Sequence, residues 1–129
     1  MKRHDFLREL SSQHHQALCL ARDILRGSEE NEDLVALRSK ARALYRDELS
    51  AHFDIEERTV LPFLVQAGKK SMVQQTLEEH RQLRQLVSKL DDTDSLLQFA
   101  QLLKAHVRFE ERVLFKHWQM QAQMDERTA

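Results

Sequence analysis

Two stretches of this chain repeat one ionisable pattern: HFDIEERTVL from His52 and HVRFEERVLF from His106. Each sets a histidine, a glutamate four residues on, a second glutamate, an arginine and then apolar residues. Imidazole nitrogen and carboxylate oxygen together bind divalent cations such as Fe, Mn and Zn. The i, i+4 spacing places both groups on one helix face, one turn apart, within reach of a single site. His14 and His15 in SQHHQAL, and His80 in EEHRQL, add further imidazoles. One histidine on an apolar face is more often a hydrogen-bonded core residue than a ligand, and surface His–Glu pairs are usually just solvated. Recurrence in four segments is what points to a cation.

The elements that must position these groups follow from period and punctuation. Leu7, Leu10, His14, Ala17, Ala21 and Ile24 step by three or four, as one helix face does, and Gly27 offers a stop. A second stripe runs from Leu34 through Leu37, Ala41, Leu44, Glu48, His52, Glu56 and Thr59 to Phe63, with Pro62 a candidate kink and Gly68 a terminator. Val73, Leu77, His80, Leu83, Val87 and Leu90 form a third, closed by DDTD. Thr93 or Asp94 can cap a fourth, carrying Leu96, Phe99, Leu103, His106, Glu110 and Val113. The run QMQAQMDERTA reads as a polar tail that frays. No segment alternates with period two. The expected fold is all-α, an antiparallel up-down-up-down four-helix bundle. It forms one domain over 1–129, with its core at about 7–118 and the tail at 119–129.

Each stripe is interrupted near its middle: by His14, by His52 with Glu56, by His80, and by His106 with Glu110. In a bundle these positions converge on the axis. A buried, unpaired carboxylate costs several kcal/mol, and two repel until at least one protonates, whereas a divalent cation cancels the repulsion. Register agrees for two connections. His80 lies about 11 residues before DDTD and His106 about 12 after it, level at ~1.5 Å per residue. His52 and Glu56 match His80 similarly across Gly68. The first connection does not match, so either the second helix overhangs the bundle or residues 28–36 form a longer loop.

Composition bounds the rest. The 129 residues carry a net charge of −1, with no basic field for nucleic acid or an acidic membrane surface. No apolar run approaches the roughly 18 residues of a membrane span, and the N-terminus lacks the apolar region of a signal peptide. A single cysteine, Cys19, excludes an internal disulfide and fits a reducing cytoplasm; Cys19 itself reads as a small buried hydrophobe. Glu48 could orient an imidazole from behind or pair with an arginine. His117 reads as a surface or capping residue and His4 as exposed.

Through SQHHQAL, HFDIEERTVLP, EEHRQL and HVRFEERVLF the chain resembles the hemerythrin-like, or HHE cation-binding, family over about residues 7 to 118. The resemblance implies a non-haem, oxo- or hydroxo-bridged centre of two Fe ions, with Zn or Mn as substitutes. Its ligands would be His14 (or His15), His52, His80 and His106, with Glu56 and Glu110 bridging. Glu57 and Glu111, about 100° further round, are expected in solvent or in salt bridges. Oxygen-carrying hemerythrins place a second histidine four residues after the third-helix one; here that position is Arg84, which argues against simple oxygen transport. The expected partner is a small diatomic or peroxidic ligand (O2, peroxide or NO), in a sensing, storage or stress-response role. The alternatives are an enzyme that acts on peroxide or NO or donates iron for repair of metal centres, and an interaction module with a structural metal.

Overall fold

The apolar stripes fold as four helices in a computed structural model that describes residues 3–128; Met1, Lys2 and Ala129, the ends of the expected span, lie outside the described residues. Helix α1 is Asp5–Glu29, α2 covers 35–66, α3 is Lys70–Val87 and α4 covers 93–128. Helix α1 packs on α2 and α4, and α3 on the same two. Contacts from His4 to Gln119 and from His14 to Glu110 run α4 backwards as α1 advances, and the tight turn at Gly68 reverses α2 into α3, so neighbours are antiparallel. This is the expected all-α bundle. None of the described helices is long and apolar enough to cross a membrane.

Helix ends follow side-chain and backbone chemistry. The His4 side chain, expected to be exposed, is half-buried; its Nδ1 accepts the Phe6 N–H at 3.1 Å and caps α1. Gly27 does not end that helix. The left-handed residue is Asn31, at φ 55°, with the Glu32 N–H on the Gly27 carbonyl at 2.9 Å and the Asn31 N–H on Ser28 at 3.2 Å. Asparagine tolerates this conformation better than other residues with a Cβ. Gly27 instead allows a close approach, since a Cβ there would sit a tight 3.2 Å from Leu34 Cδ2. At Gly68, φ 81°, the same arrangement closes α2 as expected: the Lys69 N–H bonds the Leu64 carbonyl at 2.9 Å. Asp92, rather than Thr93 or Asp94, caps α4 by accepting from Ser95. The expected fraying tail instead continues α4 as helix, and Gln119 within it is buried and accepts the His4 N–H at 2.8 Å.

The unmatched first connection resolves in neither way expected. Because α1 runs on past Gly27 and the loop is short, His14 lies about 15 residues before the end of α1 and His52 about 17 after the start of α2, nearly level. One wide turn absorbs part of the excess. At Tyr45–Leu49 the helix closes by i→i+5 bonds, the Ser50 N–H reaching the Tyr45 carbonyl, and such a turn inserts a residue.

Two more wide turns, Glu56–Val60 and Glu110–Leu114, begin at the two glutamates of the repeated pattern. Each shifts the buried face by one residue. The regular period expected Thr59, Phe63 and Val113 inside; Val60, Leu64 and Leu114 are buried instead. Pro62 follows the second wide turn and does not interrupt α2. In α3, Thr76 rather than Leu77 faces the core, its hydroxyl donating to the Met72 carbonyl.

The apolar core divides in two. One half gathers Ala17, Ile24, Leu49, Phe53, Leu83, Phe99 and Leu103 with their neighbours; the other gathers Leu7, Leu10, Val60, Leu64, Leu114, Phe115 and Trp118. The ionisable layer lies between them. Because Asn31 holds a left-handed turn, Asn31→Val should cost about 1–2 kcal/mol in urea unfolding, whereas Asn31→Gly should stay within a few tenths of a kcal/mol.

Candidate metal centre

Six buried side chains meet between the two apolar halves: His14, His52, Glu56, His80, His106 and Glu110, none more than 2% exposed. Their donor atoms sort into two groups that share both carboxylates. One atom from each of His14, His52, Glu56 and Glu110 lies within 4.8 Å of the others, and so does one from each of Glu56, His80, His106 and Glu110. The oxygens divide between the groups. Glu110 Oε1 is 2.8 Å from His14 Nε2 and 3.8 Å from His52 Nε2, while its Oε2 is 3.3 Å from His106 Nε2 and 3.8 Å from His80 Nε2. Glu56 sends Oε2 to His52 Nε2 at 3.2 Å and Oε1 to His80 Nε2 at 3.1 Å. Each carboxylate therefore turns one oxygen to each histidine pair.

A ring of acceptors behind the imidazoles sets which way they face. His14 Nδ1 lies 2.6 Å from Glu111 Oε2, His52 Nδ1 2.7 Å from Gln13 Oε1, His80 Nδ1 2.7 Å from Glu57 Oε2 and His106 Nδ1 2.6 Å from Glu79 Oε1. These oxygens accept, so every Nδ1 carries the hydrogen, and a neutral ring then points the lone pair of Nε2 inward. Such backing by carboxylate or carbonyl oxygen is the common support of a metal-ligating histidine. The wide turns supply two of these partners. Where a turn holds more residues, successive side chains diverge less, so Glu56 can face the axis while Glu57 still reaches His80. Glu110 and Glu111 repeat this toward His14.

Inward lone pairs and carboxylates fit a cation on their own chemistry. His14 Nε2 and His52 Nε2 stand 3.1 Å apart. Both oxygens of Glu56, Oε2 of Glu110 and Nε2 of His80 and His106 are buried without a hydrogen-bond partner. Orphaned buried polar atoms are costly, and a divalent ion satisfies nitrogen and oxygen donors together. Without a cation, protons must do this work. Burial, and next the charge of Glu110, push the Glu56 carboxyl well up. Glu110 goes down despite its burial, because His106, His14 and His52 surround it. Burial lowers His106, but the charge of Glu110 3.3 Å away and the bond to Glu79 outweigh it and raise the pKa to about 9. His14 likewise rises against its burial through Glu110 and Glu111.

All six residues singled out in the sequence come together. Of the two first-helix histidines, His14 enters the cluster; His15 is exposed on the other side, with Nε2 3.7 Å from Cys19 Sγ. Cys19 is half-buried, not enclosed as expected. Glu57 and Glu111 form the expected ion pairs, with Arg84 at 3.0 Å and Arg3 at 3.2 Å, but they also hold imidazoles, which the assumed regular helix hid. The sequence pattern does not single out Gln13 or Glu79, which also hold imidazoles. A signal existed: each directly precedes the histidine of its helix. Glu48 holds no imidazole, because Gln13 occupies His52 Nδ1. His117 binds its own helix, Nδ1 to the Val113 carbonyl at 2.8 Å.

Comparison with protein families finds a match to the family model described as hemerythrin HHE cation binding domain, over residues 5–118. No curated protein and no solved structure matches.

Three outcomes follow from this geometry. Metal-free protein should lose stability as pH rises from 6.5 to about 9, because folded His106 and His14 keep protons that unfolded histidines release near 6.5. His52, pushed down by burial, acts only below pH 6.5. Added Zn(II) replaces those protons, so its gain in melting temperature should grow across the same window. Glu57→Ala, once His80 loses its support, should weaken Zn(II) binding by about 10–100-fold in a chelator competition.

Proposed function

This chain belongs to the hemerythrin HHE cation-binding domain family, and we propose that its cations are two iron ions serving a small-ligand function. His14 and His52 would hold one ion and His80 and His106 the other, with Glu56 and Glu110 each lending one oxygen to either. The division of each carboxylate between the two histidine pairs is the observation that carries this reading. When bound, the iron pair supplies a redox-active, Lewis-acidic centre that can take up O2, peroxide or NO.

The chain's own residues shape that chemistry. Two imidazoles and two carboxylate oxygens give four protein donors per ion, fewer than iron's usual octahedral number, so ligand positions stay open. Arg84 adds no donor, since its guanidinium pairs with Glu57 and lies over the Phe53 ring at 5.6 Å. Both ions would thus have equal donor sets, with no fifth protein donor to protect an adduct, and this supports sensing, storage or stress response over oxygen transport. Phe53 stacks on His80 at 4.1 Å and Phe115 on His14 at 5.2 Å, walling the imidazoles with apolar rings. Burial of all six donors restricts entry to molecules of a few atoms.

Anaerobic loading with Fe(II) tests the proposal. Two iron ions per chain are expected, with near-ultraviolet absorption of a ferric pair after oxidation. Mixing the reduced protein with O2, peroxide or NO should give reversible spectral changes; sustained consumption would make it an enzyme instead. Glu56→Ala and Glu110→Ala should each lose most of the iron. A colourless protein that takes one zinc and no iron would overturn the reading in favour of a structural metal.

A further inference from the structure

The imidazole supports repeat with a two-fold pattern. On α2 and α4, the glutamate after the bridging one reaches back to a neighbour: Glu57 to His80 and Glu111 to His14. On α3 and α1, the residue just before the histidine reaches the other way: Glu79 to His106 and Gln13 to His52. Each second glutamate also carries an arginine, Arg84 on Glu57 and Arg3 on Glu111, so those two arms match in charge. The other arms differ by one atom type. Glu79 is a carboxylate whose other oxygen accepts only the Gln75 amide at 3.1 Å, and no described lysine or arginine pairs with it; Gln13 is a neutral amide.

Resting on the two-cation reading above, we propose that Gln13 makes the two positions unequal, so that the His80/His106 position fills first and the His14/His52 position is the weaker, exchangeable one. A carboxylate that accepts the Nδ1 hydrogen pushes electron density into the ring and strengthens Nε2 as a donor; an amide oxygen does so far less. The half-buried Glu79 charge also adds to the attraction for a cation held by His106. Glu56 and Glu110 serve both positions and cannot create the difference. The inequality is set outside the ligand shell, by the residue before each histidine.

Stepwise Zn(II) titration of the full chain against a chromophoric chelator tests this. Two separable steps are expected. His52→Ala should keep the tighter step and His106→Ala only the weaker. Gln13→Glu should tighten the weaker step about 10–100-fold, both in the otherwise unaltered chain and in the His106→Ala background. Glu79→Gln should weaken the tighter step by a similar factor in the His52→Ala background. Circular dichroism of each variant checks that the helices persist, and the single Gln13→Glu chain keeps every ligand if a deletion fails to fold. Two indistinguishable steps, or a Gln13→Glu chain with unchanged steps, would overturn the inequality alone. A chain that binds no second Zn(II) would overturn the two-cation reading itself, and the inequality with it.

Discussion

Two carboxylates with no exposed surface, Glu56 and Glu110, sit where the apolar halves of the bundle meet, and the rest of the architecture answers the cost of their charge. Together in a dry interior they repel, and each alone carries a desolvation penalty of several kcal/mol against a domain stability of about 5–15 kcal/mol. Positive charge has to stand between them. Protons on Glu56 and the imidazoles can supply it in part, and divalent cations would meet the same need with every inward donor used. The core is therefore polar at its centre and apolar at both ends, the reverse of an ordinary helical bundle.

The wide turns are the backbone device that makes this layer possible. A regular α-helix can present one residue of a Glu–Glu pair to the axis and must turn the next well away. Opening the turn at Glu56 and at Glu110 keeps both acids useful, one toward the bundle axis and one behind a neighbour's imidazole. The inserted residue also moves the buried face of everything downstream, which is why Val60, Leu64 and Leu114 pack inside. One local change in hydrogen bonding thus serves imidazole orientation and core packing at once.

Legibility in the sequence was uneven for physical reasons. The four helices and the six inner residues could be read because burial of apolar side chains imposes a period of about 3.6, and an ionisable residue on such a stripe stands out. The regular period places the downstream core one position off, since a wide turn leaves no mark in composition. The end of α1 is not legible because Gly27 and Asn31 can each terminate a helix; in the fold it is Asn31 that takes the positive φ, with the Glu32 N–H on the Gly27 carbonyl.

By itself the sequence determined the all-α class, the antiparallel order, and the presence of four imidazoles and two carboxylates on inward stripes, because these follow from period, chain direction and short connections. Only the tertiary structure decided which oxygen faces which histidine pair, that His14 rather than His15 enters the cluster, and that Gln13, Glu57, Glu79 and Glu111 stand behind the rings. Those facts depend on neighbouring helices brought side by side, and contacts between residues 23 to 97 positions apart have no signature in any one helix's pattern.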